Sequence, residues 1–449
     1  MKPNILFILI DSLRADQCHG NDKSSNTPFF DSLLKNGLYF KNTFSSADGT
    51  IISLNCLLNS KFQFETGIRS RKINLLEDNH LETLKNSGYY LAGIFPNLTS
   101  FKPFHNYFKN KGNTSEAEPV PETLTTGMNE KIKSLLTSLP NDKPWFCYLH
   151  LYDIHPLREG KIPPKIDKFL SEKFGNSLYA QTVSALDYNL QKILKPIDLE
   201  NTLLIITADH GERIPFDEKT NFQFEPELKS ITSLGKKFLP TKMHNTSGKI
   251  MSKFRRSVGK AKTTHSNRNL TPYQKRSRDP YFTLSLNHEL LHVPLFISGL
   301  SLSSKIISNL VSTVDIFPTI FELTGIAYNK SKYATSMISS TKNDIITEKN
   351  IFLHTAPFEK ESPQDKIGTQ TTNYRYFRNS NNSENDVHLY DIINDPYENE
   401  NIASIKPEIV LKMEQLLQNF KKDSSNQNTT LDEDEEKMIS DELKKLGYL

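Results

Sequence analysis

The chain has 449 residues, of which 36% are hydrophobic and 10% aromatic, enough for one large folded domain with an appendage or for two domains. Its 55 Lys and Arg residues nearly balance 52 Asp and Glu residues, so the net charge of +3 predicts no nucleic acid or other polyanion as a partner. The three cysteines, at positions 18, 56 and 147, form neither a disulfide framework nor a zinc-binding CxxC pair. Their number and spacing favour a reducing compartment.

The first predicted element is a short apolar run that leads directly into an acid. Residues 4–10 read NILFILI and are followed by Asp11. The run is too short for a membrane-spanning helix, which needs about twenty apolar residues, and it lacks the cleavage site of a signal peptide. We therefore expect a buried β-strand that places Asp11 at its carboxyl end, no transmembrane segment and a cytoplasmic location.

Apolar runs that resemble buried strands alternate with segments of helical periodicity. This alternation predicts an α/β fold, a doubly wound and mostly parallel sheet flanked by helices. In such a sheet, ligands gather at the carboxyl ends of the strands. The predicted strands are residues 5–10, 90–95, 145–151, 203–207 and 294–298, and the predicted helices are residues 29–38 and 179–194.

Composition suggests three regions. We expect residues 1–330 to form the α/β domain, residues 331–419 a smaller C-terminal subdomain that completes the fold, and residues 420–449 a polar and acidic linker with a short terminal helix. Residues 217–285 interrupt the pattern with fifteen Lys and Arg against five Asp and Glu. Three interpretations remain open for this insertion: a solvated, partly disordered segment, a basic lid or funnel for an anionic substrate, and a region that binds a polyanion or an anionic lipid surface.

Asp209 and His210 follow the predicted strand at 203–207, and Asp11 follows the first strand. A carboxylate oxygen and an imidazole nitrogen suit zinc, manganese or a similar divalent ion, with Gly211 letting the backbone turn. A shared cation would also offset the cost of burying Asp11. The alternative is that Asp209 and His210 cap the next helix.

Thr50 is the candidate nucleophile, because it follows Gly49 at the start of a helical stretch. A helix N-terminus suits an anionic ester, and metal coordination could activate the hydroxyl. Thr50 could equally be an ordinary N-cap, and Ser53, one turn later, is similarly ambiguous. His155, after the strand at 145–151, could donate a proton to a leaving group or bind an anionic oxygen, or could be structural.

Other polar residues near predicted strand ends have less certain roles. Asp153 also follows an apolar run. Arg14 and Asp16 are expected to form a local ion pair. His288 and His292 precede the last predicted strand, and one of them is expected to reach the site.

In the order of its motifs the chain resembles the sulfatase-like branch of the alkaline phosphatase superfamily, nearly from end to end. The first motif, PNILFILIDSLRAD, is similar to the family's opening strand and first metal aspartate, and TADHGE is similar to its second metal motif. The segments that carry the resemblance are residues 3–16, 26–31, 37–42, 207–212, 292–295, 314–319, 389–392, 394–398 and 446–449.

The chain departs from many sulfatases at their Cys-x-Pro-x-Arg motif, whose cysteine becomes formylglycine. Here residues 50–54 read TIISL, and Cys56, followed by LLNS, does not restore the motif. The stretch is similar instead to family members with a threonine nucleophile, which act on phosphate esters or transfer phosphoglycerol and related groups. Ser12 stands where sulfatases have a second acid of their calcium site, and the family's cationic residue ahead of the 293–295 strand is not recognisable.

The resemblance implies that Asp11, Asp209, His210 and Thr50 hold at least one divalent ion, Mn, Zn or Ca. It implies a metal-dependent hydrolase or transferase that cleaves a phosphate monoester or diester through a covalent Thr50 intermediate, with His155 at the leaving or ester oxygen. The expected substrate is a small-molecule, glycan-linked or lipid-linked anionic ester. The alternatives are a sulfuric ester hydrolase and an inactive relative that serves as a binding module.

Overall fold

The computed structural model describes residues 2–67, 72–108, 122–159, 161–213, 270–277, 285–338, 349–355, 364–424 and 438. The chain divides into two units, one formed by Met1–Glu212 and Thr283–Leu449 and the other by Arg213–Phe282. All strands and all but one of the helices named below lie in the first unit; the exception, Pro272–Ser277, lies in the second. Most of the predicted basic insertion and of the predicted terminal helix lies outside the described residues.

The strands are Asn4–Ile10 (β1), Gly37–Phe44 (β2), Tyr90–Ile94 (β3), Trp145–Leu151 (β4), Thr202–Thr207 (β5), Leu295–Ser298 (β6), Lys305–Ser312 (β7), Ile351–His354 (β8), Lys366–Gln370 (β9), Tyr374–Asn379 (β10) and His388–Asp391 (β11). The α-helices are Pro28–Lys35 (α1), Thr50–Asn59 (α2), Gln63–Thr66 (α3), His80–Asn86 (α4), Asn129–Thr137 (α5), Leu178–Leu194 (α6), Pro272–Ser277 (α7), His288–Leu291 (α8), Ile316–Thr324 (α9) and Pro407–Asp423 (α10). Short 3-10 turns cover Ala15–Gln17, Thr99–Asn106, His155–Glu159, Asp167–Phe169, Glu172–Phe174 and Thr313–Asp315, and a π-turn covers Leu124–Met128.

The larger sheet has seven strands in the order β3-β4-β1-β5-β6-β2-β7. β1 pairs in parallel with both β4 and β5, and this places the carboxyl ends of three strands side by side at one edge. The predicted mostly parallel α/β sheet is therefore confirmed. One strand was predicted in the wrong direction: β6 runs antiparallel to β5 and to β2. Its four residues are buried on both faces, and such a pattern is the same for either direction.

The central strands form the core of this sheet. The six residues from Ile5 to Ile10 are fully buried, as both-face burial by flanking helices requires. Phe7 of β1 stacks on Phe317 of α9 with the ring centroids 5.6 Å apart, which ties the sheet to the helical layer that also contains α2. Among the described residues, no helix has the length and apolar character that a membrane crossing requires.

The helix predicted at residues 29–38 is shorter than expected. α1 ends at Lys35, and Gly37 begins β2 instead of ending the helix. A Cβ atom at Gly37 would lie 2.6 Å from the carbonyl oxygen of Ile297 in β6, so glycine serves a close strand approach there. The helix predicted at residues 179–194 is confirmed as α6, where the Ser177 side chain accepts a hydrogen bond from Ala180 N.

The smaller sheet is antiparallel, in the order β11-β10-β9-β8, and packs against α10. Phe352 of β8 and Phe420 of α10 stack with their ring centroids 3.5 Å apart. α10 continues through Asp423, so the predicted linker does not begin at residue 420. A smaller C-terminal sheet is thus present, and the predicted division into domains at residue 330 stays a prediction.

Candidate active site

Three potential metal ligands meet at the carboxyl edge of the larger sheet. Asp11 follows β1, and Asp209 and His210 follow β5, the strand paired with β1. Each side chain offers one ligand atom, and these atoms lie within 4.8 Å of one another in buried surroundings. The structure thus brings together the three residues that the sequence singled out. The described residues after His210, through Arg213, are not helical, so this pair does not cap a helix there.

Thr50 contacts this group of ligands. It is the first residue of α2, and its hydroxyl lies 3.2 Å from Asp11 Oδ2 and 3.3 Å from His210 Nε2. The helix N-cap is Gly49, so the interpretation of Thr50 as an ordinary N-cap is wrong. The amino end of α2, with its free N–H groups and positive dipole, therefore faces the carboxylates.

The loop before Thr50 is fixed by hydrogen bonds from distant parts of the first unit. Ser45 N donates to Leu291 O at 2.8 Å, and His354 N, at the end of β8, donates to Ser46 O at 3.0 Å. Ser53 Oγ lies 3.1 Å from Ala47 O, so its hydroxyl braces this loop. These contacts hold Thr50 at a defined place and settle the ambiguity over Ser53 in favour of structure.

Ser12 connects the two aspartates, a role that the sequence analysis missed. Its backbone N–H donates to Asp209 Oδ1 at 3.2 Å, and its hydroxyl donates to Asp11 Oδ1 at 2.7 Å. The residue has a φ of 65°, a left-handed conformation that is uncommon outside glycine. Tyr179 of α6 secures it by donating from its hydroxyl to Ser12 O at 2.6 Å. Nothing in a single serine signals this geometry, which depends on two strand ends and a helix.

The orientation of His210 presents one ring nitrogen to the ligand group. Its Nδ1 lies 2.7 Å from Gly211 O, and because a carbonyl oxygen can only accept, Nδ1 carries the proton. Nε2 then keeps its lone pair for a cation. Gly211 is needed for close approach and not for a turn: a Cβ atom there would lie 2.2 Å from Glu289 O.

Burial and mutual charge shift the pKa values of all three ligands. Burial raises the pKa of Asp209 to about 6, against the opposing charge of His210. For Asp11, burial acts in the same direction but is outweighed by the charge and hydrogen bond of His155 and the charge of His210, which hold its pKa well below the usual range. Burial lowers the pKa of His210, but the charges of Asp209 and Asp11 outweigh it and raise the pKa.

The donor atoms fit a divalent cation. Asp209 Oδ2 is buried and makes no hydrogen bond of ordinary geometry to any described residue. Burying a carboxylate oxygen without a partner is costly, and a cation would remove that cost. Two carboxylates and one imidazole form a donor set that suits zinc or manganese.

His155 lies beside the ligand group, as the sequence predicted. It begins the turn that follows β4, and its Nδ1 lies 3.4 Å from Asp11 Oδ1. Asp153, two residues earlier, accepts a hydrogen bond of 2.9 Å from Leu124 N, and burial raises its pKa to about 7. Of these two residues after β4, His155 is therefore the one with a contact to Asp11.

The remaining candidates have structural contacts. Arg14 and Asp16 form the expected local ion pair, with Nε to Oδ1 at 3.1 Å. His292 Nε2 lies 2.8 Å from Lys41 O in β2, and burial lowers the pKa of this histidine to about 4. His288 packs against it, with ring centroids 4.6 Å apart. The prediction that one of these histidines reaches the site is not supported for His292, whose Nε2 is engaged by β2.

A mostly parallel sheet that gathers two carboxylates, an imidazole and a hydroxyl at its carboxyl edge has the arrangement of an ester-hydrolysing α/β enzyme. A family model described as Sulfatase matches residues 3–326. The chain therefore belongs to the sulfatase family, within the alkaline phosphatase superfamily of hydrolases.

Individual relatives agree with this assignment. The ulvan-active sulfatase of Formosa agariphila is 29% identical over 236 residues, which are 47% of this chain and 45% of that protein. This chain thus matches less than half the length of that relative. Among solved structures, a 2-O GAG sulfatase has a TM-score of 0.64 at 17% identity, covering 97% of this chain and 96% of that one. The phosphonate monoester hydrolase of Agrobacterium radiobacter has a TM-score of 0.62 at 13% identity, covering 93% and 95%. These two structures share the fold.

Proposed function

We propose that the protein is a metal-dependent hydrolase or transferase that cleaves a phosphate monoester or diester through a covalent intermediate on Thr50. The observation that carries this proposal is the position of the Thr50 hydroxyl, 3.2 Å from Asp11 Oδ2 and 3.3 Å from His210 Nε2. A hydroxyl that is buried among candidate metal ligands at a helix N-terminus supports a role as the nucleophile that attacks an anionic ester. We also propose that the protein belongs to the sulfatase-family members that use a threonine as the nucleophile.

Asp11, Asp209 and His210 would hold a divalent ion, with Thr50 next to it. Such an ion, Mn, Zn or Ca, would lower the pKa of an adjacent hydroxyl and neutralise charge on the ester. The protein's own contribution is to fix these donors: Gly211 O orients His210, and Ser12 joins the two aspartates.

In the first step, Thr50 Oγ1 loses its proton to solvent and forms a bond to phosphorus while the bond from phosphorus to the leaving oxygen breaks. The electron pair of the broken bond stays on the leaving oxygen, which takes up one proton. We assign His155, beside Asp11, to supply that proton or to hold an ester oxygen. Water, or an acceptor hydroxyl in a transferase, then adds to phosphorus. The Oγ1–phosphorus bond breaks, and the proton of the attacking group restores the threonine hydroxyl.

The chemistry of the site and of the relatives supports a proposal for the substrate class. Buried donors and a helix N-terminus suit a compact anionic ester, and the relatives named above include enzymes described as acting on ulvan, on a 2-O sulfated GAG and on phosphonate monoesters. We propose a small-molecule, glycan-linked or lipid-linked ester and a cytoplasmic location. All three cysteines are buried and free, which is compatible with a reducing compartment.

A second candidate is a sulfuric ester hydrolase in which Thr50 replaces formylglycine. The match to the sulfatase family model and to an ulvan-active sulfatase favours it. An inactive relative that only binds ligands is a third candidate, but the ligand group and the Thr50 hydroxyl are all in place, and a decayed site would have lost one of them.

The test compares aryl phosphate monoesters, diesters, phosphonates and sulfates on one preparation supplied with Mn, Zn or Ca. We expect Thr50→Ala to lose roughly a thousandfold or more in kcat and Thr50→Ser to retain part of it. Thr137→Ala, which removes an exposed threonine hydroxyl at the end of α5, away from the ligand group, is the control and should keep most activity. Mass spectrometry of the quenched enzyme should find the transferred group on Thr50.

The outcomes separate the candidates. Turnover of sulfates alone would replace the phosphate proposal with the sulfatase candidate. Undiminished turnover in Thr50→Ala would contradict the covalent mechanism for either ester. Absence of turnover on all four ester types, with a metal bound, would favour the inactive relative.

A further inference from the structure

His150 of β4 is a buried histidine in which one ring nitrogen lacks a hydrogen-bond partner among the described residues. Its side chain is 1% exposed, and its Nδ1 lies 3.0 Å from the hydroxyl of Tyr148. The ring stacks on Tyr152 with centroids 4.7 Å apart, and Phe101 packs edge-on at 5.5 Å. Nε2 is buried and has no hydrogen-bond partner among the described residues. Leaving a buried polar atom without a partner is unfavourable, so an occupant of the site would relieve it.

The register of the sheet puts His150 on the face that also carries Asp11. In the parallel register of β1 and β4, His150 lies opposite Leu9, two residues before Asp11. Residues two apart on a strand share a face, so His150 and Asp11 lie on the same face of the sheet. The charges of Asp11, His210 and His155 all act on the His150 ring. Tyr152, on which it stacks, packs edge-on against His155 at 5.7 Å.

The ring is neutral under ordinary conditions. Burial lowers the pKa of His150 to about 3, and the charges of His210 and His155 add to that effect while Asp11 opposes it. Burial, together with Asp209 and Asp11, raises the pKa of the Tyr148 hydroxyl well above its usual value. That hydroxyl therefore keeps its proton and can either donate to His150 Nδ1 or accept from it. The proposal uses the first arrangement, in which the proton of the neutral ring lies on Nε2 and makes that nitrogen a hydrogen-bond donor.

We propose that His150 Nε2–H donates a hydrogen bond to a charged oxygen of the ester held at Thr50, and so acts as a substrate-binding catalytic residue. This inference rests on the proposed function. An anion is the natural acceptor, because hydrogen bonds to charged groups are the strong ones and a dry surrounding strengthens them further. The neutral ring can donate without adding a positive charge that the ligand aspartates would compete for.

Two substitutions separate the two ring nitrogens. The side-chain amide of asparagine reaches the position of Nδ1, so His150→Asn can keep the contact with Tyr148 while losing the donor at Nε2. The amide of glutamine reaches the position of Nε2, so His150→Gln can keep that donor while losing the Tyr148 contact. A merely structural histidine would not be rescued by glutamine in preference to asparagine.

The probes are inorganic phosphate and orthovanadate, titrated into the metal-supplied full-length protein, together with kcat and KM on the best aryl ester. We expect His150→Asn to bind both anions and to turn over roughly 10- to 100-fold worse than wild type, and His150→Gln to recover most of that loss. Metal content and the thermal unfolding midpoint should be compared in both variants to confirm that each is folded. In the wild-type protein, the ¹⁵N resonances of His150 should report the Nε2–H tautomer, and Nε2 should shift when vanadate binds.

Equal effects of the two substitutions, or an Nε2 resonance that vanadate leaves unmoved, would overturn the proposal. This failure is distinguishable from failure of the proposed function. If Thr50→Ala is inactive while His150→Asn is normal, only the role of His150 is wrong. If Thr50→Ala is as active as wild type, the proposed function is wrong whatever His150 does.

Discussion

The hydroxyl of Thr50 donates a 3.2 Å hydrogen bond to Asp11 Oδ2, although the two residues are 39 positions apart in the chain. The contact joins the carboxyl end of β1 to the amino end of α2. The same hydroxyl lies 3.3 Å from His210 Nε2, after β5. Three elements that are separate in sequence therefore bring the Thr50 hydroxyl and the candidate metal ligands together in a buried site.

Removing one carboxylate from the ligand group should remove the metal. We expect Asp209→Asn to weaken binding of Mn²⁺ or Zn²⁺ at least tenfold, because Asp209 Oδ2 is a buried oxygen that makes no hydrogen bond of ordinary geometry to a described residue and lies 3.7 Å from His210 Nε2. In the wild type, the cation at a hundred times its Kd should raise the free energy of unfolding by about 2.7 kcal/mol. Elemental analysis after dialysis and urea unfolding with and without metal measure the two effects.

Asp153→Asn is the matched control for this experiment. Asp153 is another buried acid near a strand end, and like Asp209 it has one oxygen that accepts a backbone hydrogen bond and one without a hydrogen bond to a described residue, but it is not one of the three candidate ligands. Its substitution should leave metal content unchanged. If Asp209→Asn and Asp153→Asn retain the same amount of metal as the wild type, the assignment of the ligand group is wrong.

Ser12 should influence metal affinity through its hydroxyl and stability through its backbone. Both Ser12→Ala and Ser12→Gly lose the 2.7 Å bond to Asp11 Oδ1, so both should bind the metal roughly tenfold more weakly. The φ of 65° is strained for alanine and not for glycine. We therefore expect Ser12→Ala to be less stable than Ser12→Gly by about 1 kcal/mol in urea unfolding without metal. Equal stabilities would mean that the left-handed backbone carries no strain.

The three candidate metal ligands could be predicted from the sequence, because each directly follows a short apolar run that is recognisable as a strand. A run of both-face-buried residues predicts a strand, and the polar residue after it is placed at the strand's carboxyl end. The local sequence is therefore enough to place Asp11, Asp209 and His210 at strand ends, and the order of the motifs indicates the family. β4 delivers His155 in the same way.

What the sequence did not predict depends on contacts across the fold. The direction of β6 is invisible in four residues that are buried on both faces. The helix predicted to reach residue 38 ends at Lys35, because Gly37 begins β2 and packs closely against Ile297 O. The role of Ser12 arises only where the ends of two strands meet. That His150 Nε2 lacks a hydrogen-bond partner among the described residues could not be predicted either, because it depends on the contact between Tyr148 and Nδ1.

We expect His80 to lower the free energy of unfolding at acidic pH, because its buried ring resists protonation in the folded protein. Its ring stacks on Phe317 with centroids 4.9 Å apart, and burial lowers its pKa from 6.5 to about 3. A base whose folded-state pKa is depressed takes up its proton more readily when unfolded. The stabilising effect of its neutral form is therefore present above about pH 6.5 and is lost as the pH falls towards 3. The expected loss from this one group is about 3 kcal/mol between pH 7 and pH 4.

The measurement is the free energy of unfolding in urea as a function of pH. His80→Gln can keep a contact with Ser60 Oγ, which lies 2.6 Å from Nε2 in the wild type, but it cannot titrate. Its unfolding free energy should therefore fall less steeply between pH 6.5 and pH 4. Phe317→Leu, which removes the stacking partner and no titratable group, should lower stability at every pH and leave the slope intact. A wild-type slope in His80→Gln would contradict the assignment.

Helix α1 should depend on a cap that comes from another helix. Its N-cap residue, Thr27, makes no side-chain capping bond, and Asp187 of α6 accepts instead from Phe29 N at 3.0 Å and from Phe30 N at 2.8 Å. We expect Asp187→Ala to cost about 2–3 kcal/mol in urea unfolding, because the buried N–H of Phe30 and the part-buried N–H of Phe29 lose their acceptor. Asp31→Ala is the control, since Asp31 is a half-exposed acid in the first turn of the same helix and pairs only with Lys23 among the ion pairs of the described residues. It should change stability by about 0.5 kcal/mol or less. Equal losses of unfolding free energy in the two variants would show that capping by Asp187 stabilises the protein no more than the surface ion pair of Asp31 does.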